Sequence, residues 1–204
     1  MPQLDYQTMP TLDDEQDAKP MSEPNAFLEE ALFKARTILL TGGIDDKQAR
    51  RVCERLLALG SDSDKPILLV ISSPGGHVES GDMIHDMIKF VDAPVKVLGS
   101  GWVASAGALI YAAAKKENRY SLPNTRFLLH EPRGGFGGQA SDIDIQVREI
   151  VRMRERLNKI FAAATGQPFE KIKADTDRDY WMSAEEAVEY GLVGKIVTSK
   201  KEIT

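Results

Sequence analysis

The sequence predicts an α/β protein, and three observations carry that prediction. The continuous apolar run Ile67-Leu68-Leu69-Val70-Ile71 has the character of a strand covered on both faces of a parallel sheet. Helical periodicity flanks it, with Ala49, Val52, Cys53, Leu56 and Leu57 before it and Met83, Ile84, Met87, Ile88 and Val91 after it. Beyond Pro94, Val95-Lys96-Val97-Leu98 forms a second short strand, so strand, helix and strand follow at the lengths of a right-handed crossover.

Each element has a local reason. Asp45 is placed to cap the first of these helices and Gly60 to stop it. The turn Ser72-Ser73-Pro74-Gly75-Gly76 ends the buried strand. After Gly99 and Gly101, small residues from Val103 to Ala114 allow close helix packing, and Arg126 to His130 reads as another strand. Ser141 to Ala164 gives the longest helix, with Ile143, Val147, Ile150, Val151, Leu157, Ile160 and Phe161 on one side. Ser183-Ala184-Glu185-Glu186 is a capping box that opens a short helix closed by Gly191. Helices are expected on both sides of the strands.

Composition narrows the function classes. The chain has 204 residues, 42% hydrophobic and 28% charged, which fits one globular domain and excludes wholesale disorder. Its single cysteine, Cys53, cannot form an internal disulfide, no zinc-spaced cluster occurs, and neither a metal nor a cofactor is expected. Residues 1–25 hold six acids against one base, Lys19, and four of the ten prolines, and are expected to form an acidic mobile segment ahead of the domain at 26–204. The remainder is formally neutral, which gives no support to nucleic-acid binding. No secretory signal and no run of roughly 18 apolar residues is present, so a cytoplasmic location without membrane attachment is expected.

Nucleophilic hydrolysis needs a hydroxyl or thiol, a base, a group to orient that base, and donors for the oxyanion. Three histidines are available as the base. His85 lies within a helix beside Ile84 and suits a surface or core-edge role, whereas His77 follows the Pro74-Gly75-Gly76 turn. His130 ends a strand, where a rigid element delivers a side chain to a cleft. Ser105 opens a small-residue helix, where free N–H groups favour negative charge, although capping or helix packing would explain a serine there equally well. The G-x-S-x-G elbow is not met, because Val103 occupies its first glycine position. Gly75-Gly76 and Gly134-Gly135-Phe136-Gly137-Gly138 expose backbone that suits oxyanion donation or strand pairing, and equally suits plain turns and loops. Among the acids, Asp175, Asp177 and Asp179 are equivalent on these grounds.

Taken together, order and spacing resemble the Clp protease proteolytic subunit family, ClpP. The blocks that carry the resemblance are Ile71 to Gly76, Gly101-Trp102-Val103-Ala104-Ser105-Ala106-Gly107-Ala108, and Leu122-Pro123-Asn124 with Phe127 to Pro132. Gly138 to Ile143, and Asp175 to Asp179 followed by Met182 to Ala187, complete them, and the likeness spans Leu28 to Val197. The resemblance implies Ser105 as nucleophile, His130 as general base and acid, and Asp179 as the carboxylate that orients it, with Gly76 and Ala106 as oxyanion donors. It also implies a ClpP/crotonase-like spiral of repeated β-β-α units with a protruding handle helix, the handle region covering 131–164. Two stacked heptameric rings are implied, held partly by Asp177 and Arg178, and fed with unfolded polypeptide by an AAA+ unfoldase such as ClpX or ClpA. Unfoldase docking falls on Leu68, Val70, Phe90, Tyr120 and Val197.

Three features depart from the family pattern. Ala106 stands where a methionine usually follows the nucleophile, only two of the five docking positions are aromatic, and the acidic Leu12-Asp13-Asp14-Glu15 replaces an apolar and basic gate segment. The altered gate and docking positions leave a noncatalytic or modulatory ring subunit as a second reading beside an active serine endopeptidase. The shared fold and paired oxyanion donors leave a crotonase-type acyl-CoA enzyme, which needs no Ser-His-Asp set, as a third.

Overall fold

The computed structural model describes residues 26–133 and 137–203. The expected acidic segment at 1–25 and residues 134–136, the first three of the Gly134–Gly138 run, lie outside the described residues. Helix α1 (Ala26–Lys34) leads into strand β1 (Thr37–Thr41) and helix α2 (Asp46–Asp62). Asp45 caps α2 as expected, its carboxylate accepting from the Gln48 N–H at 2.7 Å. Gly60 does not stop α2, which continues to Asp62. The end is set from a distance: the Arg36 guanidinium donates to the Leu59 and Ser63 carbonyls at 2.7 and 2.8 Å, supplying partners that a helix C-terminus lacks. A side chain at Gly60 would meet Val91 at an ordinary contact distance of 3.5 Å, so glycine is not required there.

Strand β2 (Ile67–Ser73), helix α3 (Val78–Phe90) and strand β3 (Val95–Ala104) form the anticipated crossover. β3 is longer than its apolar run at Val95–Leu98 suggests, because it passes straight through Gly99 and Gly101. A side chain at Gly99 would press within about 3.2 Å of Val103, Phe127 and Thr125, so glycine there is a packing requirement and not a strand end. Helix α4 (Ala106–Ala112) follows, then β4 (Arg119–Ser121), β5 (Arg126–Leu129), α5 (Ala140–Thr165), α6 (Phe169–Asp175), β6 (Tyr180–Met182), α7 (Ala184–Tyr190) and β7 (Lys195–Ile196). The Ser183 capping box opens α7, and Gly191 closes it in the left-handed conformation.

The parallel sheet runs β1-β2-β3-β4-β7 and forks at β3. The first half of β3 pairs with β4 at Val97–Gly99, and its second half pairs with β5 at Trp102–Ala104. β6 then adds antiparallel to β5, with Leu129 opposite Tyr180. A register shift between Ile71 and Ser73 accompanies the fork on the β2 side. The carboxyl ends of β2, β3 and β5 consequently lead to Gly75-Gly76, Ser105 and His130. In β2 every second residue is buried, whereas Leu68 and Val70 are only half-buried. The apolar run therefore has one closed face and one partly open face, and the expectation of cover on both sides is corrected. Inside, Leu40, Leu69, Val97, Leu109 and Phe127 are fully enclosed, each worth about 1.5–3 kcal/mol of burial. No helix among the described residues is long and apolar enough to cross a membrane.

Candidate active site

Ser105 occupies the junction between β3 and α4 with φ 55° and ψ −122°, a backbone conformation costly for a residue with a side chain. The surroundings hold it there. Its N–H donates to the Leu128 carbonyl at 2.9 Å, and its own carbonyl accepts from Ala108 and Leu109 at 2.9 and 3.1 Å. Its hydroxyl makes no capping bond, so the helix-cap explanation of this serine fails.

The Gly75-Gly76 turn is pressed against this point. A side chain at Gly75 would come within 2.6 Å of Ser105 Cβ, and one at Gly76 within 2.2 Å of the Ile44 carbonyl; both have positive φ. Ser73 Oγ fixes the turn, donating to the Gly42 carbonyl at 2.7 Å and accepting from the Gly75 N–H at 3.0 Å. Among the described residues neither the Gly76 nor the Ala106 N–H has an acceptor, which leaves two backbone donors free beside Ser105.

His130 directly follows β5, and Asp179 directly precedes β6. Because Leu129 and Tyr180 are cross-strand partners, the next pair outward is His130 with Asp179, and His130 Nδ1 lies 3.1 Å from Asp179 Oδ1. Donation of Nδ1–H to this carboxylate leaves Nε2 as the ring's acceptor. His130 and Ser105 line one small pocket with Val78, Ala106, Leu109, Leu157 and Phe161. No hydrogen bond joins Ser105 Oγ to His130 in the single chain. The arrangement offers a hydroxyl, an oriented imidazole and a pair of N–H donors beside an apolar wall, the parts of an acyl-transfer site.

A family model described as Clp protease matches residues 22–200. The chain belongs to the Clp protease family. It is 61% identical over 191 residues to the ATP-dependent Clp protease proteolytic subunit 2 of Gluconobacter oxydans, covering 93% of this chain and 86% of that protein. Identity to the Pseudomonas aeruginosa protein of the same name is 63%, over 88% of this chain and 89% of the relative. Among solved structures, a ClpP1 point mutant from Listeria monocytogenes superposes with a TM-score of 0.82 at 51% identity, covering 87% of this chain and 99% of that one. As a Clp protease family member the chain is a serine peptidase, and its forked parallel sheet is the ClpP fold.

The remaining candidate residues of this Clp protease lie outside the pocket that Ser105 and His130 line. Asp177 and Arg178 are exposed. Phe90 is 75% exposed at the end of α3, and Leu68 and Val70 lie on the open face of β2, whereas Tyr120 and Val197 are buried. Asp175 is engaged by Lys171 and by the Tyr190 hydroxyl at 2.6 and 2.7 Å, so the fold separates three acids that the sequence leaves equivalent. His77 stands outside the Ser105 pocket, bonded to Ser80 Oγ at 2.8 Å, and buried His85 is held by Asp86 at 2.9 Å. Burial pushes the Cys53 thiol up to about 11, as suits an inert core residue. Sequence reasoning missed Arg133, whose guanidinium also binds Asp179 Oδ1. Its position three residues after His130, beside Glu131-Pro132, was the available signal.

Proposed function

We propose that Ser105, His130 and Asp179 form the catalytic triad of an ATP-dependent Clp protease proteolytic subunit, a serine endopeptidase acting on unfolded polypeptide. The observation that carries this reading is the His130–Asp179 bond at 3.1 Å beside a strained serine that caps nothing. Ser105 Oγ attacks the scissile carbonyl while His130 Nε2 takes its proton, and Asp179 holds the ring in the tautomer that leaves Nε2 free. Gly76 and Ala106 N–H groups receive the oxyanion, each worth about 100- to 1000-fold in rate by comparison with other acyl-transfer sites. His130 returns the proton to the leaving amine, and water releases the acyl-enzyme by the same steps in reverse. The apolar wall of Val78, Leu109, Leu157 and Phe161 favours an apolar side chain beside the cleaved bond.

The working form is two stacked heptameric rings in the cytoplasm, with the domain at 26–204 contributing a handle at 131–164 and Asp177 and Arg178 at the ring-to-ring contact. Assembly brings Ser105 Oγ within bonding range of His130 and confines cleavage to an inner chamber. An AAA+ unfoldase of the ClpX or ClpA type supplies substrate and consumes the ATP. It docks on Leu68, Val70 and Phe90 together with Tyr120, which shares the cross-sheet row of Val70 through Leu98, and Val197. Support comes from the names of the relatives and from the exposure of Phe90 and of the α5 tip. The test pairs fluorophosphonate labelling and peptide cleavage by wild type and Ser105→Ala with mass measurement of the assembly. Labelling confined to Ser105 in a fourteen-subunit particle is expected; an unlabelled, inactive particle of that mass would make this a modulatory ring subunit instead.

A further inference from the structure

A second cavity, of about 1000 Å³, is lined by none of the proposed catalytic residues. It lies between the C-terminal parts of α3 and α5 and the segment after α4, and is at the upper end of ordinary small-molecule sites at about 300–1,000 Å³. Its walls are cationic, and some of that charge is already matched. Arg156 grips the Asp82 carboxylate with two bonds of 2.5 and 2.7 Å, Arg152 pairs with Glu149 at 2.5 Å, and Lys159 pairs with Glu155 at 2.7 Å. The rest is not matched. Lys89, Lys115 and Lys116 line the same cavity and have no acidic partner among the described residues.

Arg119 also lines it, and is only 2% exposed. Its Nη2 donates to the Ala164 carbonyl at 2.6 Å, near the negative end of the α5 dipole. Nε and Nη1 have no partner. Capping α5 therefore accounts for one of three guanidinium nitrogens. A guanidinium stays charged when buried, and burying that charge is costly unless a counter-charge comes close. The Ala164 carbonyl and the nearby Glu117 carboxylate offset part of this cost, and an anion in the cavity would offset more.

We propose that this cavity is a binding site for a small oligophosphate, held by the field of Arg119 and by direct contact with Lys89, Lys115 and Lys116. A single carboxylate would leave most of the unmatched charge uncompensated, and a lone phosphate would fill little of the volume. Linked phosphates answer both, and Arg and Lys are the natural partners for them.

The probe is tripolyphosphate, titrated into the full chain in its assembled form at low salt and followed by phosphorus NMR and calorimetry. Binding is expected to strengthen from orthophosphate to pyrophosphate to tripolyphosphate. The double substitution Lys115→Gln with Lys116→Gln, on exposed positions that leave the fold intact, is expected to weaken tripolyphosphate at least tenfold while peptide cleavage is retained. Arg119→Gln is expected to weaken it as well, and because that variant risks misfolding the lysine pair decides the matter. The proposal is overturned if the assembled protein leaves the phosphorus signals unperturbed at millimolar ligand, or if the lysine double variant binds as tightly as wild type. It is equally overturned if only dissociated chains bind, since a carboxylate from a neighbouring copy would then be the occupant.

Discussion

Helices α4 and α5 make opposite use of apolar residues. All seven residues of α4 are buried, and a helix that short has no independent stability, so tertiary packing alone maintains it. The first ten residues of α5 are all exposed, including Ile143, Ile145 and Val147. That stretch is supported locally by the Arg148–Asp144 and Arg152–Glu149 pairs, each worth about 0.3–0.5 kcal/mol. Only further along does α5 bury Leu157 and Phe161 against the core. The comparison teaches that Ser105 sits where the backbone cannot relax, whereas the α5 tip carries an apolar stripe that the described residues leave uncovered. The first region suits the chemistry proposed for Ser105, and the second suits contact with another copy.

Substitutions in the two regions should separate these roles. The largest effect is expected from Ser105→Ala, which should lower peptide cleavage by about 10⁶-fold without altering the circular dichroism spectrum. Residual activity above a hundredth of wild type would move the nucleophile elsewhere. Asp179→Asn should cost about 10⁴-fold in turnover, read by steady-state kinetics, because the amide favours the wrong imidazole tautomer. A loss below tenfold would leave Arg133 as the better partner for that carboxylate.

On the other side of the comparison, Ile145→Glu with Val151→Glu should shift the particle to lower mass in analytical ultracentrifugation. Secondary structure should persist, since both residues are about half exposed, at 54% and 50%. An unchanged particle would remove the α5 tip from the assembly contact. A smaller effect is expected within the core. Tyr111→Phe deletes the 2.8 Å bond from its buried hydroxyl to the Tyr120 carbonyl and should cost about 1 kcal/mol in a thermal melt.

The smallest effect concerns Cys53. With its thiol raised by burial from 9.0 to about 11, it should resist alkylation at pH 8 until the protein unfolds. The unfolded chain releases that proton first, so the contribution of Cys53 to stability is complete below pH 9 and falls as pH rises towards 11. Fast alkylation of native protein would mean that α2 opens readily.

Local signals proved legible where a single element decides the outcome. The Asp45 cap, the Ser183 capping box and the periodicity of α3 and α5 were all readable, because capping and amphipathicity act within one or two turns. Gly60 misled because a guanidinium 23 residues away in sequence caps the end of α2. The length of β3 was hidden because Gly99 answers to side chains on β5 and in the loop before it, and Gly101 to Ser72 on β2.

By itself the sequence determined the α/β class, the order of α2, β2, α3, β3, α4, β5, α5 and α7, and the family blocks around Ser105, His130 and the Asp175–Asp179 run, whereas α1, α6 and the short strands β1, β4, β6 and β7 were not read from it. On the residues alone Asp175, Asp177 and Asp179 were equivalent and the family resemblance pointed to Asp179; the tertiary structure adds the antiparallel register of β5 and β6, which sets Asp179 beside His130. It alone showed that Ser105 is strained and caps nothing, and that Arg119 is buried with two unpaired nitrogens. The division has one physical cause: patterns are written along the chain, whereas hydrogen-bond partners and charge burial depend on residues that only folding brings together.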